Sequence, residues 1–128
     1  MAELSNYLEN KLLDHVLRNV SYTSPTTVYV GLYTSDPADD NSGTEVSGGS
    51  YARQILSVTT ATAGVVTSSV DVTFPQATGN WGTITHIGLL DALTSGNLLM
   101  HTPLTTSKLI ETGDILKVPT GNLTASLD

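Results

Sequence analysis

The densest collection of reactive side chains lies in SDPADDNSGTEVSGG, residues 35–49, which carries Asp36, Asp39, Asp40, Asn41 and Glu45. Carboxylates and an amide around a glycine are the chemistry of a hard cation such as calcium. Their spacing departs from that of an EF-hand loop, and the stretch is full of turn formers. A solvated surface loop is the plainer expectation, with weak cation binding as the alternative. The three histidines are His15, His86 and His101. His86 and His101 fall on the two strands of one predicted hairpin and are expected to face each other as a packed cross-strand pair. A zinc site needs three or four ligands, and the sequence sets no third beside them, so no metal and no cofactor are expected.

Serines and threonines are plentiful, but no G-x-S-x-G elbow, H-E-x-x-H, P-loop or G-x-G-x-x-G surrounds them. SGGS at 47–50 precedes a strand, so no helix N-terminus is there to hold a phosphate. A carboxylate-pair glycosidase would have to draw its acids from one flexible-looking loop, a poor platform for preorganised catalysis. No catalytic residue is assigned and no enzymatic activity is expected. Tyr7, Tyr22, Tyr29, Tyr33 and Tyr51 with Trp81 could form a sugar-stacking platform beside Asn80, Asp36 and Asn41. The alternative packs Tyr29 and Tyr33 on a sheet face or in a subunit contact and sets Trp81 in a barrel end or an interface.

Composition narrows the field further. The chain has 128 residues, no cysteine, 39% hydrophobic residues, five Lys+Arg and a net charge of −7. That length suits one domain, without disulfides or thiolate metal sites. Five scattered cations cannot displace the counterions of a nucleic acid or hold an anionic membrane, so neither is an expected partner. No apolar stretch approaches the roughly 20 residues of a membrane span, and residues 1–20 lack the pattern of a secretory leader. Only 13% of residues are charged, against about 25% in typical domains. A surface rich in Thr, Ser and Gly suits a protein covered by neighbours.

These residues must be positioned by a helix and a set of strands. Residues 4–21 read as a helix, with Leu8, Leu12, Val16 and Val20 at i+4 spacing beside Leu13 and Leu17. Ser5 or Asn6 is its expected cap, and Pro25 follows its end. This stripe either covers a sheet or meets the same helix in neighbouring subunits. From residue 26 the period is two: strands are predicted over 26–34, 50–58, 65–74, 83–91, 97–104, 114–119 and 122–128. Val28, Val30 and Leu32 share one face; Tyr29, Gly31 and Tyr33 share the other. Hairpins are expected around Ala92–Gly96 and around Thr120-Gly121, and Pro103 marks a strand end or edge. The fold class is mainly β: a single antiparallel β-sandwich, jelly-roll-like, with one N-terminal helix.

VYVGLYTSDP (28–37), SYARQ (50–54), FPQATGNWGTITHIGLLDA (74–92), SGNLLMHTPLT (95–105) and GDILKVPTGNLTASLD (113–128) occur in this order. So arranged, the chain resembles a family of small tailed-bacteriophage virion proteins. Members are often labelled tail fibre proteins, and related small β proteins act as capsid cement or decoration proteins, frequently trimers. The resemblance implies a capsid cement or decoration protein that binds the outer capsid surface as an oligomer and stabilises capsomer contacts, after synthesis in the host cytoplasm. Expected partners are copies of itself, as a trimer, and the phage major capsid protein. A fibre or receptor-binding module recognising host glycans is the alternative. The candidate interface comprises Trp81, Asn80, Tyr29, Tyr33, Leu8, Leu12 and Val16, with Trp81 presented on a glycine-flanked corner as an anchor for a neighbour. The rival placement has Trp81 closing the end of its own core.

Overall fold

A computed structural model describes residues 2–127. The chain begins with a short strand, β1 (Glu3–Leu4), followed by the helix α1 (Asn6–Leu17). Ser5 makes the junction. Its backbone is extended, its hydroxyl accepts from the Leu8 N–H at 3.2 Å, and the same hydroxyl donates to the Leu98 carbonyl. The helix stops at Leu17 and not at residue 21. Asn19 turns to φ 58, a conformation asparagine tolerates, and the Val20 N–H folds back to the Asp14 carbonyl at 3.1 Å.

The remaining strands are β2 (Val28–Tyr33), β3 (Gln54–Leu56), β4 (Val65–Thr67), β5 (Val72–Thr73), β6 (Gly82–Leu90), β7 (Leu98–Ile110), β8 (Lys117–Val118) and β9 (Thr124–Ser126). A five-stranded antiparallel sheet runs in the order β1-β7-β6-β2-β3, and two ribbons pair β4 with β9 and β5 with β8. Val72, Leu116 and Leu123, from the ribbons and their flanks, share one buried cluster with Val30, Leu32, Ile84, Ile87 and Leu89 from the sheet. Antiparallel layers around that core, with a helix at the N-terminus, make a β-sandwich. Each such side chain contributes about 1.5–3 kcal/mol through burial.

The expected alternation along β2 holds, but neither of its faces is left to solvent. Val30 and Leu32 enter the main cluster, while Tyr33 joins Leu90 and Leu98 in a smaller one behind the sheet. Tyr33 lies so close over β6 that a Cβ on Gly88 would come within 2.7 Å of its ring.

Several strand boundaries differ from the pattern. Strand 97–104 continues to Ile110; Pro103 sits opposite His86 beside a register shift, where the missing N–H costs no ladder bond. Of 50–58 only Gln54–Leu56 forms a strand. The stretch 65–74 is split at Ser68, which is buried and whose hydroxyl accepts from the Gly121 N–H at 3.0 Å. The hairpin expected around Thr120-Gly121 does not form: the turn is present, but β8 pairs with β5 and β9 with β4. Short segments with several possible apolar mates are paired by the core they meet, not by sequence proximity.

Candidate assembly surface

One end of the sandwich is sealed by aromatic rings. Trp81, just before β6, is 5% exposed and lies edge-on to Tyr51 (5.4 Å between centroids) and Phe74 (6.5 Å); Tyr51 and Phe74 stack at 6.2 Å. The indole N–H donates to the Gly49 carbonyl at 2.8 Å. Gly49 has φ 58, and a Cβ there would approach the indole nitrogen to 2.9 Å, so SGGS is the lid over the tryptophan. Gly82, at φ 89, lets the chain leave the corner into β6. Asn80 is exposed beside it and accepts from the Thr112 N–H at 3.2 Å. Of the two placements weighed for Trp81, the geometry is that of a residue closing its own core.

The acidic loop is built, not loose. Pro37 is fully buried, Asp36 accepts from the Ala38 N–H, and Asp40 accepts from the Ser42 N–H. The Asn41 side chain accepts from the Tyr33 hydroxyl at 2.9 Å. Glu45 is held bidentately by Arg53, with bonds of 2.8 and 2.7 Å, and Arg53 also donates to the carbonyls of Ala92 and Ser95. The Tyr51 hydroxyl donates to Glu45 at 2.6 Å and accepts from the Leu32 N–H, occupying the free edge of β2 beyond β3. Burial, then the bond to Glu45, raise the Tyr51 pKa, so the hydroxyl keeps the proton it donates. Burial, then the nearby Glu45 charge, push Tyr33 up to about 12.

The two histidines do not stack on each other. His86 opposes Pro103 and His101 opposes Gly88, which sets them diagonally on one face. Asp36 Oδ1 stands near both, 3.9 Å from His86 Nε2 and 3.8 Å from His101 Nδ1. His101 Nε2 lies 2.9 Å from Asp39 Oδ1 and 3.9 Å from Glu3 Oε2. No local signal relates Glu3 to the acidic loop; β1 pairing with β7 does so by placing Glu3 directly opposite His101.

The other end of the sandwich is open. An apolar groove of about 430 Å³ is bordered by Leu8 from the helix, Val28 and Leu56 from the sheet, Met100 from β7, and Val66 and Ala125 from a ribbon. Beside it the helix displays Leu13, Val16 and Leu17 at 57%, 72% and 74% exposure, and no residue of the helix is buried. Of the candidate interface residues, Leu8, Leu12 and Tyr29 are half-buried, and Val16 and Asn80 are exposed. Trp81 and Tyr33 lie inside the protein at 5% and 1%. The aromatic faces envisaged for stacking sugars are largely spent on internal contacts, Trp81, Tyr33 and Tyr51 among them.

A small β-sandwich with an uncovered apolar ridge and groove and a charge-poor surface has the character of an assembly protein more than of a free-standing monomer. The model of the Podophage GP4 fiber I protein gp80 family matches residues 3–126, nearly the whole chain. The chain belongs to that family of tailed-phage virion proteins, and its class is that of phage structural proteins. No curated protein matches it. Among the described residues no helix is long and apolar enough to cross a membrane.

Proposed function

We propose that this protein is a fibre-complex subunit that works by association, using the helix ridge and the open groove to bind further copies of itself. The observation that carries this reading is the exposed run Leu13, Val16 and Leu17 beside a groove of the same apolar character. Ridge and groove are different surfaces of one chain, so joining them closes either as a reciprocal two-fold pair or as a cyclic ring; the trimer is the ring taken here. The family's description as a fiber I protein favours the fibre assignment. Fibre action here is mechanical and needs no substrate turnover.

A capsid-cement role, with the major capsid protein as partner, is the second reading. Its support is the absence of any extended repeat or trimerisation segment among these 128 residues, which suits a compact clamp better than a shaft. Electron microscopy of virions decides between the two. Density for this chain confined to the tail or its fibres is expected. Many copies seated across the capsid surface overturn the fibre reading in favour of cement. Sedimentation of the purified chain tests the association itself: a closed oligomer is expected, and a monomer at all concentrations removes the basis of the proposal.

A further inference from the structure

We propose that Glu3, Asp39 and His101 form a binding site for a divalent transition-metal ion of the zinc class, with Asp36 orienting the imidazole from its other side. Three separate segments meet here: β1, the acidic loop and β7. The ligand atoms of Glu3, Asp39 and His101 all lie within 4.8 Å of one another. In a tetrahedral zinc site with bonds of about 2.0–2.1 Å, neighbouring ligand atoms stand about 3.3 Å apart. The observed separations from Nε2, 2.9 Å to Asp39 and 3.9 Å to Glu3, bracket that spacing. Closing the difference takes a rotamer adjustment of Glu3, whose side chain is 71% exposed and free to move.

The charge arrangement points the same way independently of the count. The His101 side chain is only 5% exposed, and each ring nitrogen faces a carboxylate: Asp39 and Glu3 at Nε2, Asp36 at Nδ1. A neutral imidazole has one donor and one acceptor nitrogen, so one nitrogen would turn a lone pair toward a carboxylate. A metal ion on Nε2 takes up that lone pair and leaves the proton on Nδ1, on the side where Asp36 Oδ1 stands 3.8 Å away. A shift of a few tenths of an ångström would bring Asp36 into the carboxylate–histidine–metal pattern, in which an outer acid fixes the tautomer. His86, 3.9 Å from the same Asp36 oxygen, backs it from behind.

The frame is rigid and accessible. The Asp39 carbonyl accepts from the Asn6 N–H at 2.9 Å, Pro37 is buried, and Asp36 caps the Ala38 N–H. A surface depression of about 360 Å³ bordered by Ala2, Glu3, Leu4, Glu9 and Asp39 gives an ion an entry path and leaves room for water as a further ligand. One imidazole with two carboxylates favours zinc and its neighbours over calcium or magnesium, which take all-oxygen sets. Bound there, the ion ties the root of the helix to the acidic loop and so fixes the direction of the ridge.

Calorimetric titration of tag-free, chelator-stripped protein with zinc chloride, and separately with calcium chloride, tests the site near neutral pH. One saturable zinc site is expected, at least about 100-fold tighter than calcium, with a higher melting temperature in zinc. Asp39→Asn and Glu3→Gln alter exposed side chains and leave the core untouched; each should weaken zinc by about tenfold or more. Nitrogen-15 spectra of the His101 ring report the metal directly through loss of the Nε2 proton signal. Absence of saturable zinc binding at about 1 mM overturns the proposal. So does unchanged affinity in both variants, or a doubly protonated His101 ring in the presence of zinc, which would make the proton the resident cation.

Discussion

The two ends of this sandwich solve opposite problems with the same strands. At the Gly82 end of β6, Trp81, Phe74 and Tyr51 interlock beneath the Gly48-Gly49 lid, and the core is closed within one chain. At the Leu90 end, about 27 Å away along the nine residues of β6, the core opens into a groove and the helix above it buries none of its residues. The closed end packs Trp81, Phe74 and Tyr51 against one another. The open end leaves aliphatic side chains for something else to cover. On the proposed function, stability resides at the closed end and association at the open one.

The sharpest way to break that division is Trp81→Ala. It empties the closed end and should cost about 3–5 kcal/mol, lowering the melting temperature by on the order of 10 °C. Thermal denaturation checks this, and a loss below about 1 kcal/mol would mean that the rings do not seal the core. Next is Arg53→Met, which strands Glu45 against the Tyr51 hydroxyl and frees two carbonyls of the 92–95 turn; roughly 3 kcal/mol should be lost in urea titration. Adding Glu45→Leu should recover part of that loss, because the unpaired charge goes with it.

At the open end, Leu17→Asp is expected to leave the stability of the monomer within about 0.5 kcal/mol of the parent while abolishing oligomers in sedimentation. A variant that unfolds instead would assign the helix to the core and erase the contrast between the ends. The smallest effect belongs to Asp71. Its pKa is lowered, first by the backbone N–H of Thr120, then by the Thr120 hydroxyl and Lys117. A depressed folded value gives stability that is present above the unfolded value of about 3.9 and lost as pH falls through the folded one. Asp71→Asn should lose a small amount of stability at neutrality and flatten that acid limb, so that variant and parent converge as pH falls below the folded value, read from urea midpoints at descending pH.

Much of the fold was readable because its signals are local. The helix shows in the Leu8, Leu12, Val16 stripe, its start in Ser5, and the β6–β7 hairpin in two alternating runs around Ala92–Gly96. Three features were not readable. The tail of the chain looked like a hairpin because 114–119 and 122–128 flank a good turn, yet each half pairs with a distant strand. The acidic loop is solvated as expected, with Asp36, Asp39, Asp40 and Asn41 exposed, but its anchors, Tyr33, Arg53 and Tyr51, act through contacts invisible in composition. The His86 and His101 pairing was right as to hairpin but missed Asp36 between them and Glu3 at the far end of β1.

The amino-acid order by itself determined the class of the fold, the periodicities, the turns and the presence of an apolar helix face, because these depend on residues a few positions apart. Only the tertiary structure decided that Trp81 faces inward, that the helix ridge faces outward, and that Glu3, Asp39 and His101 share one point in space. Those outcomes depend on which apolar surfaces meet across the chain, and burial is shared among all partners at once, so no short stretch encodes it alone.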